Sequence, residues 1–134
     1  MADAVTTQVL AESKSDLVVK FTNVSDGTGE TAVLKVDVSG LDLPCAEVDL
    51  TKVWFSTDGM AVRILWDADT DVLAIPIPQN QTGCIDFTEH VPGRLRNNAG
   101  TGKTGDIRFT TVGHTSGDSY AIILWMRKRQ TAEI

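Results

Sequence analysis

The residues of this chain that could do chemistry fall into a few short stretches. Gly100-Thr101-Gly102-Lys103-Thr104 has the composition of the end of a phosphate-binding loop. The full pattern needs a glycine five residues before the last one, and that position is Asn97. It also needs a helix whose N-terminus receives the phosphates. Beyond Gly105 the chain continues as Asp106-Ile107-Arg108-Phe109-Thr110, a strand pattern, so the stretch reads as a turn without a nucleotide. Asp67-Ala68-Asp69-Thr70-Asp71 opens like a calcium loop. The sixth position of that loop requires glycine and the twelfth requires glutamate; here they are Val72 and Pro78. The aspartates read instead as turn formers that accept nearby backbone N–H groups. No metal is expected.

His90 and His114 lie in or beside turn-rich text without a local metal partner or nucleophile. Thr115, Ser116 and Asp118 crowd His114, but neighbours in one turn do not make a triad, and no oxyanion-hole motif accompanies them. Cys45 and Cys84 are too far apart in sequence for a zinc set or a redox motif, and both read as small buried apolar residues. Asn23-Val24-Ser25 and Asn80-Gln81-Thr82 match the glycosylation acceptor pattern, which matters only in an exported chain. The candidates together support no acid–base pair, no nucleophile and no cofactor, so the chain is not expected to be an enzyme.

The chain has 134 residues, enough for one core, with a net charge of −6 and a pI near 4.7. That sign argues against nucleic acid as a partner. Arg127, Lys128 and Arg129 are a local exception, suited to docking on an acidic protein, and Arg94, Arg96 and Lys103 are scattered along one loop. No apolar run approaches the ~20 residues of a membrane helix, so no membrane is expected. The opening Met1-Ala2-Asp3-Ala4 has neither the charged nor the apolar region of an export signal.

The elements that must position these residues are strands. The chain holds 14 Val, 8 Ile and 16 Thr against 5 Glu, and β-branched side chains favour a pleated surface over a helix. Period-two alternation, as in Leu17-Val19-Phe21, Val62-Ile64-Trp66 and Ile107-Phe109-Thr111, predicts strands near 5–10, 17–24, 32–39, 47–57, 60–67, 71–77, 84–88, 106–113 and 119–128. Pro76 predicts an edge or a bulge. The apolar phase slips between Leu50 and Val53, which predicts another bulge. Asp58-Gly59 is the best tight-hairpin candidate. The text from 89 to 105 is irregular. The whole reads as an all-β, jelly-roll-like sandwich of about eight short antiparallel strands, with an immunoglobulin-like sandwich as the alternative.

Trp54, Trp66 and Trp125 all lie in apolar runs and read as core or subunit interface. The run from Tyr120 to Met126 is apolar on both faces, whereas a sandwich strand normally buries one. Tyr120, Ile123 and Trp125 are therefore expected at the interface of a symmetric homodimer.

Several segments resemble a known group. Lys20-Phe21-Thr22-Asn23-Val24-Ser25-Asp26-Gly27-Thr28-Gly29-Glu30, Ile64-Leu65-Trp66-Asp67-Ala68-Asp69-Thr70-Asp71, Asn97-Asn98-Ala99-Gly100-Thr101-Gly102 and Gly105-Asp106-Ile107-Arg108-Phe109-Thr110-Thr111-Val112-Gly113-His114-Thr115, together with the opening Met1 to Gln8, are similar to small β-rich virion proteins of tailed bacteriophages. The resemblance spans nearly the whole chain and consists of turn and strand text, not a catalytic signature. It implies a capsid decoration (cement) protein, made in the host cytoplasm and seated on the outer surface of the virion shell, with the major capsid protein as partner. The alternative is a tail- or fibre-associated carbohydrate-binding module. One sandwich domain is expected over 1–134, flanked by an N-terminal arm (about 1–10) and a basic C-terminal tail (about 127–134). Contacts with the shell are expected from Ala2, Val5, Thr7, Arg127, Lys128 and Arg129.

Overall fold

A computed structural model describes residues 4–25, 27, 29–89, 93–97, 99–102, 104–113 and 115–129. Ala2 lies outside them. Among the described residues nine strands run in chain order: β1 (Ala4–Glu12), β2 (Asp16–Val24), β3 (Val33–Val36), β4 (Glu47–Asp58), β5 (Ala61–Trp66), β6 (Val72–Ile77), β7 (Thr82–Asp86), β8 (Ile107–Val112) and β9 (Ser119–Arg129). Among the described residues the helical structure is a single 3-10 turn, Phe87–Glu89.

The strands form two antiparallel sheets, β1-β2-β9-β4-β7 and β3-β8-β5-β6. Four neighbour pairs, β2 with β9, β3 with β8, β4 with β7 and β5 with β6, are nested in chain order. That nesting is one long antiparallel ribbon folded at β5–β6 and rolled over on itself, the winding of a jelly roll. β1 adds an edge strand to this eight-stranded plan. The sandwich reading is thereby met.

Alternation on each strand supplies the core. Leu17, Val19 and Phe21 of β2 face inward with Ile122, Leu124 and Met126 of β9 and Val53 and Phe55 of β4. From the opposite sheet come Ile107 and Phe109 of β8 and Val62, Ile64 and Trp66 of β5. Phe109 meets Phe21 edge-on at 5.1 Å and Tyr120 at 5.9 Å between ring centroids, the geometry that aligns ring edges with ring faces.

Two irregularities expected from the sequence are present. Thr51 is the extra residue where the β4–β9 register shifts between Leu50 and Lys52, and its hydroxyl donates to the Trp125 carbonyl at 3.0 Å. Pro76 lies on β6, the edge of the four-stranded sheet, where a missing N–H costs no ladder bond.

Others are corrected. Asp58-Gly59 is no hairpin: β4 and β5 belong to different sheets, and the turn carries the chain from one layer to the other. The segment expected as an N-terminal arm is, from Ala4 onward, the edge strand β1, laddered to β2 from Val24 to Leu17. The basic cluster expected in a tail lies within β9, the central strand of its sheet.

Candidate functional site on the outer face of the five-stranded sheet

The outward side chains of this sheet form rows across its strands. One row runs Val18, Trp125, Lys52, Asp86; the next runs Lys20, Ile123, Trp54, Cys84; the third runs Thr22, Ala121, Ser56, Thr82. Directly opposed residues in antiparallel strands share a face, so Trp54 and Trp125 are diagonal neighbours. Both tryptophans and Ile123 are half-buried. Lys52 Nζ stands 5.1 Å from the centroid of the Trp125 ring, a cation–π contact. Ser56 and Thr82 share a hydroxyl hydrogen bond at 3.0 Å.

One end of the sheet is closed by an ion-pair cluster. Glu47 and Asp49 are fully buried. Arg129 pairs with both, its Nε 2.9 Å from Asp49 Oδ2. Arg94 Nε lies 3.2 Å from the same oxygen, and the backbone N–H of Asn97 donates to Asp49 Oδ1. A bridge between Leu50 and Leu95 pins the loop that delivers these groups. The cluster locks the irregular segment onto the end of β4.

The expected interface and contact residues separate accordingly. Tyr120, expected at an interface, is buried within its own chain. It shares the inward phase of Ile122 and Leu124 and donates to Glu30 Oε1 at 2.6 Å. Glu30 also holds Lys35 at 2.5 Å and accepts from Asn23 Nδ2 at 2.9 Å, a polar set sealed within the protein. Ile123 and Trp125 lie together on the outer face. Lys128 and Arg129 are not free to dock. Lys128 points inward and donates to Glu12 Oε2 and to the Leu43 carbonyl, each at 2.7 Å, and Arg129 belongs to the ion-pair cluster. Of the three basic residues only Arg127 is exposed, on the same face as Trp125. Val5 and Thr7 are exposed on β1, away from the tryptophans.

The remaining candidates resolve into turns. Asp67 pairs with Arg108 at 2.9 Å and accepts the Thr104 hydroxyl at 2.8 Å. Asp71 Oδ1 accepts the Ala68 N–H, the local bond expected of that turn. Asp69 N–H donates to the Thr101 carbonyl, so the glycine-rich loop is tied to the aspartate turn and feeds strand β8, not a helix. Lys103, His90 and His114 lie outside the described residues. No group of three metal-binding side chains is present among the described residues, and no helix there is long and apolar enough to cross a membrane. Cys45 is half-buried, and burial raises its thiol pKa above the ordinary value. Cys84, expected to be buried, is exposed beside Trp54 because β7 is an edge strand and its outward side is open. Both thiols are free.

No protein-family model and no curated protein matches the chain.

Run composition alone does not single out Trp54, Lys20 or Lys52 for this face. Parity carries the missing signal. Trp66 is in phase with Val62 and Ile64 and is core, whereas Trp54 falls between the inward Val53 and Phe55 and must point outward.

Proposed function

We propose that this chain is a structural virion protein of a tailed bacteriophage that binds the outside of the major capsid protein shell and stabilises the head. The observation that carries this reading is the outer face, where Trp54, Ile123 and Trp125 form an apolar centre around Lys20 and Lys52. Tryptophan at the centre of a protein interface is a residue whose loss costs ~2 kcal/mol or more. The lysines suit an acidic partner surface. The resemblance of the turn and strand text to phage virion proteins supplies the class of partner.

The mechanism is mechanical. Each copy lays this face across neighbouring shell subunits and resists their separation under the pressure of packaged DNA. Many modest contacts on one lattice sum by avidity. The stacked face of a sugar-binding module would need a free tryptophan ring, and Lys52 already stands over the ring of Trp125; that favours a protein partner over a glycan.

Purified protein should sediment with mature heads stripped of it and should bind no sugar on a glycan array. Binding to glycans without binding to heads would replace this reading with the carbohydrate one.

A further inference from the structure

Exposed strand edges invite pairing with other chains, and sheets normally block them with short strands, proline, charge or bulges. Three of the four edges here are blocked. β7 has five residues and runs into a 3-10 turn. β6 contains Pro76. β3 has four residues and a register shift at Lys35. β1 differs: its nine residues hold no proline and no glycine, and the sole formal charge is the terminal Glu12. It pairs with β2 on one side and with no described strand on the other.

The inward side of β1 is also uncovered. Val5 and Val9 are 43% and 54% exposed, while Asn23 and Val19, directly opposite on β2, are 1% and 3% exposed. The opposing sheet therefore stops at β2, and β1 overhangs it. The ladder is regular from Ala4 to Val9, and the bulge comes only at Leu10.

We propose that β1 pairs antiparallel with β1 of a second copy of this chain, about a twofold axis through Thr7, to join two five-stranded sheets into one of ten strands. A twofold axis across an antiparallel pair requires one residue to face its own copy. Otherwise the axis would exchange a hydrogen-bonded pair with a non-hydrogen-bonded one. With Thr7 self-facing, Val5 meets the partner's Val9 on one side of the sheet, and Thr6 meets the partner's Gln8 on the other. Centring on Thr6 or Gln8 instead sets valine against threonine. Thr7 is the register that matches apolar with apolar and polar with polar, the pairing that stabilises neighbouring strands.

Charge supports the same occupant. A twofold seam always brings like residues together, and each copy carries a net charge of −6. β1 places no charge between Ala4 and Ala11, so the seam joins two acidic proteins without local repulsion. The rows of the outer face, by contrast, carry the charges of Lys20, Lys52 and Asp86. Pairing through β1 sets two tryptophan faces side by side on one continuous sheet. The proposal rests on the β1 edge alone and stands whatever the outer face binds.

The test is light scattering on the whole chain. The wild type should weigh twice 14.5 kDa. Thr7→Lys and Thr7→Glu each set like charges face to face, so each should raise the dimer dissociation constant about tenfold or more. An equimolar mixture of the two should restore the dimer, because lysine then faces glutamate. A monomeric wild type at high concentration, variants that dimerise as the wild type does, or a mixture that stays monomeric would each overturn the proposal. If circular dichroism shows either variant unfolded, amide exchange of the wild type decides. Protection over Val5–Val9 should rise with protein concentration, and protection independent of concentration rejects the pairing.

Discussion

Lys128 Nζ, buried on the central strand β9, meets the Glu12 carboxylate at the end of the edge strand β1 at 2.7 Å. The contact spans β2 and fastens the end of the chain's first strand to the middle of the sheet. It also changes what the basic cluster means. Alternation along β9 turns Lys128 inward and leaves Arg127 alone in solvent.

The pair makes stability depend on acid. Hydrogen bonds from Lys128 and from the Leu43 N–H hold the Glu12 carboxyl below its ordinary pKa. A depressed carboxyl contributes stability that is present above its unfolded value, about 4.3, and is lost as the pH falls below it. Thermal melts should therefore show the wild type and Glu12→Gln converging over the range below about pH 4, with the variant less stable at pH 7. Parallel curves over that range would show that the pair contributes nothing.

Arg129→Met removes the guanidinium that serves both Glu47 and Asp49. Breaking a buried ion pair from one side costs ~3–5 kcal/mol because the remaining charge stays in the interior. Urea unfolding should show a loss of that size, with the m-value unchanged. A loss under 1 kcal/mol would mean that water reaches the two carboxylates.

Tyr120→Phe keeps the ring against Phe109 and deletes one hydrogen bond to the buried Glu30. Hydrogen bonds to charged groups contribute ~1.5–3 kcal/mol, and the variant should lose about that much. Dimer formation and head binding should not change, since Tyr120 faces the interior. A change in either at full stability would return Tyr120 to an interface.

Deleting Thr51 should prevent folding outright. Thr51 absorbs the phase slip that lets both Leu50 and Val53 face the core. Without it, the residues on one side of the deletion flip to the wrong face. Thr51→Ala, which keeps the residue count and loses only its hydroxyl bond to Trp125, should fold. The two variants are compared by circular dichroism.

The strands are legible in the sequence because period two and turn residues are local signals. All nine spans lie within a few residues of their expected places, and the slip at Thr51 and the edge at Pro76 are visible for the same reason. Partner choice is not local. Asp58-Gly59 has the chemistry of a hairpin turn, but nothing in the dipeptide says that β4 and β5 join different sheets. Buried charge is hidden too. Glu47, Asp49 and Lys128 look like surface residues until their ion partners, far away in sequence, are seen beside them. Half of the outer face is readable: Ile123 and Trp125 stand out in a run that is apolar on both sides, and Trp54 needs the parity of its neighbours.

Binding of the shell by the outer face of the five-stranded sheet is what the proposed function requires. It is tested most directly by the occupancy of heads, lacking this protein, when incubated with wild type or with Trp54→Ser/Trp125→Ser. Both side chains lie outside the core, so the double variant should keep its β circular dichroism. Two central interface tryptophans at ~2 kcal/mol each correspond to a loss of affinity of roughly 1,000-fold at each contact. Wild-type heads should fill and variant heads should stay bare at the same protein concentration. Equal occupancy by a folded variant would contradict it.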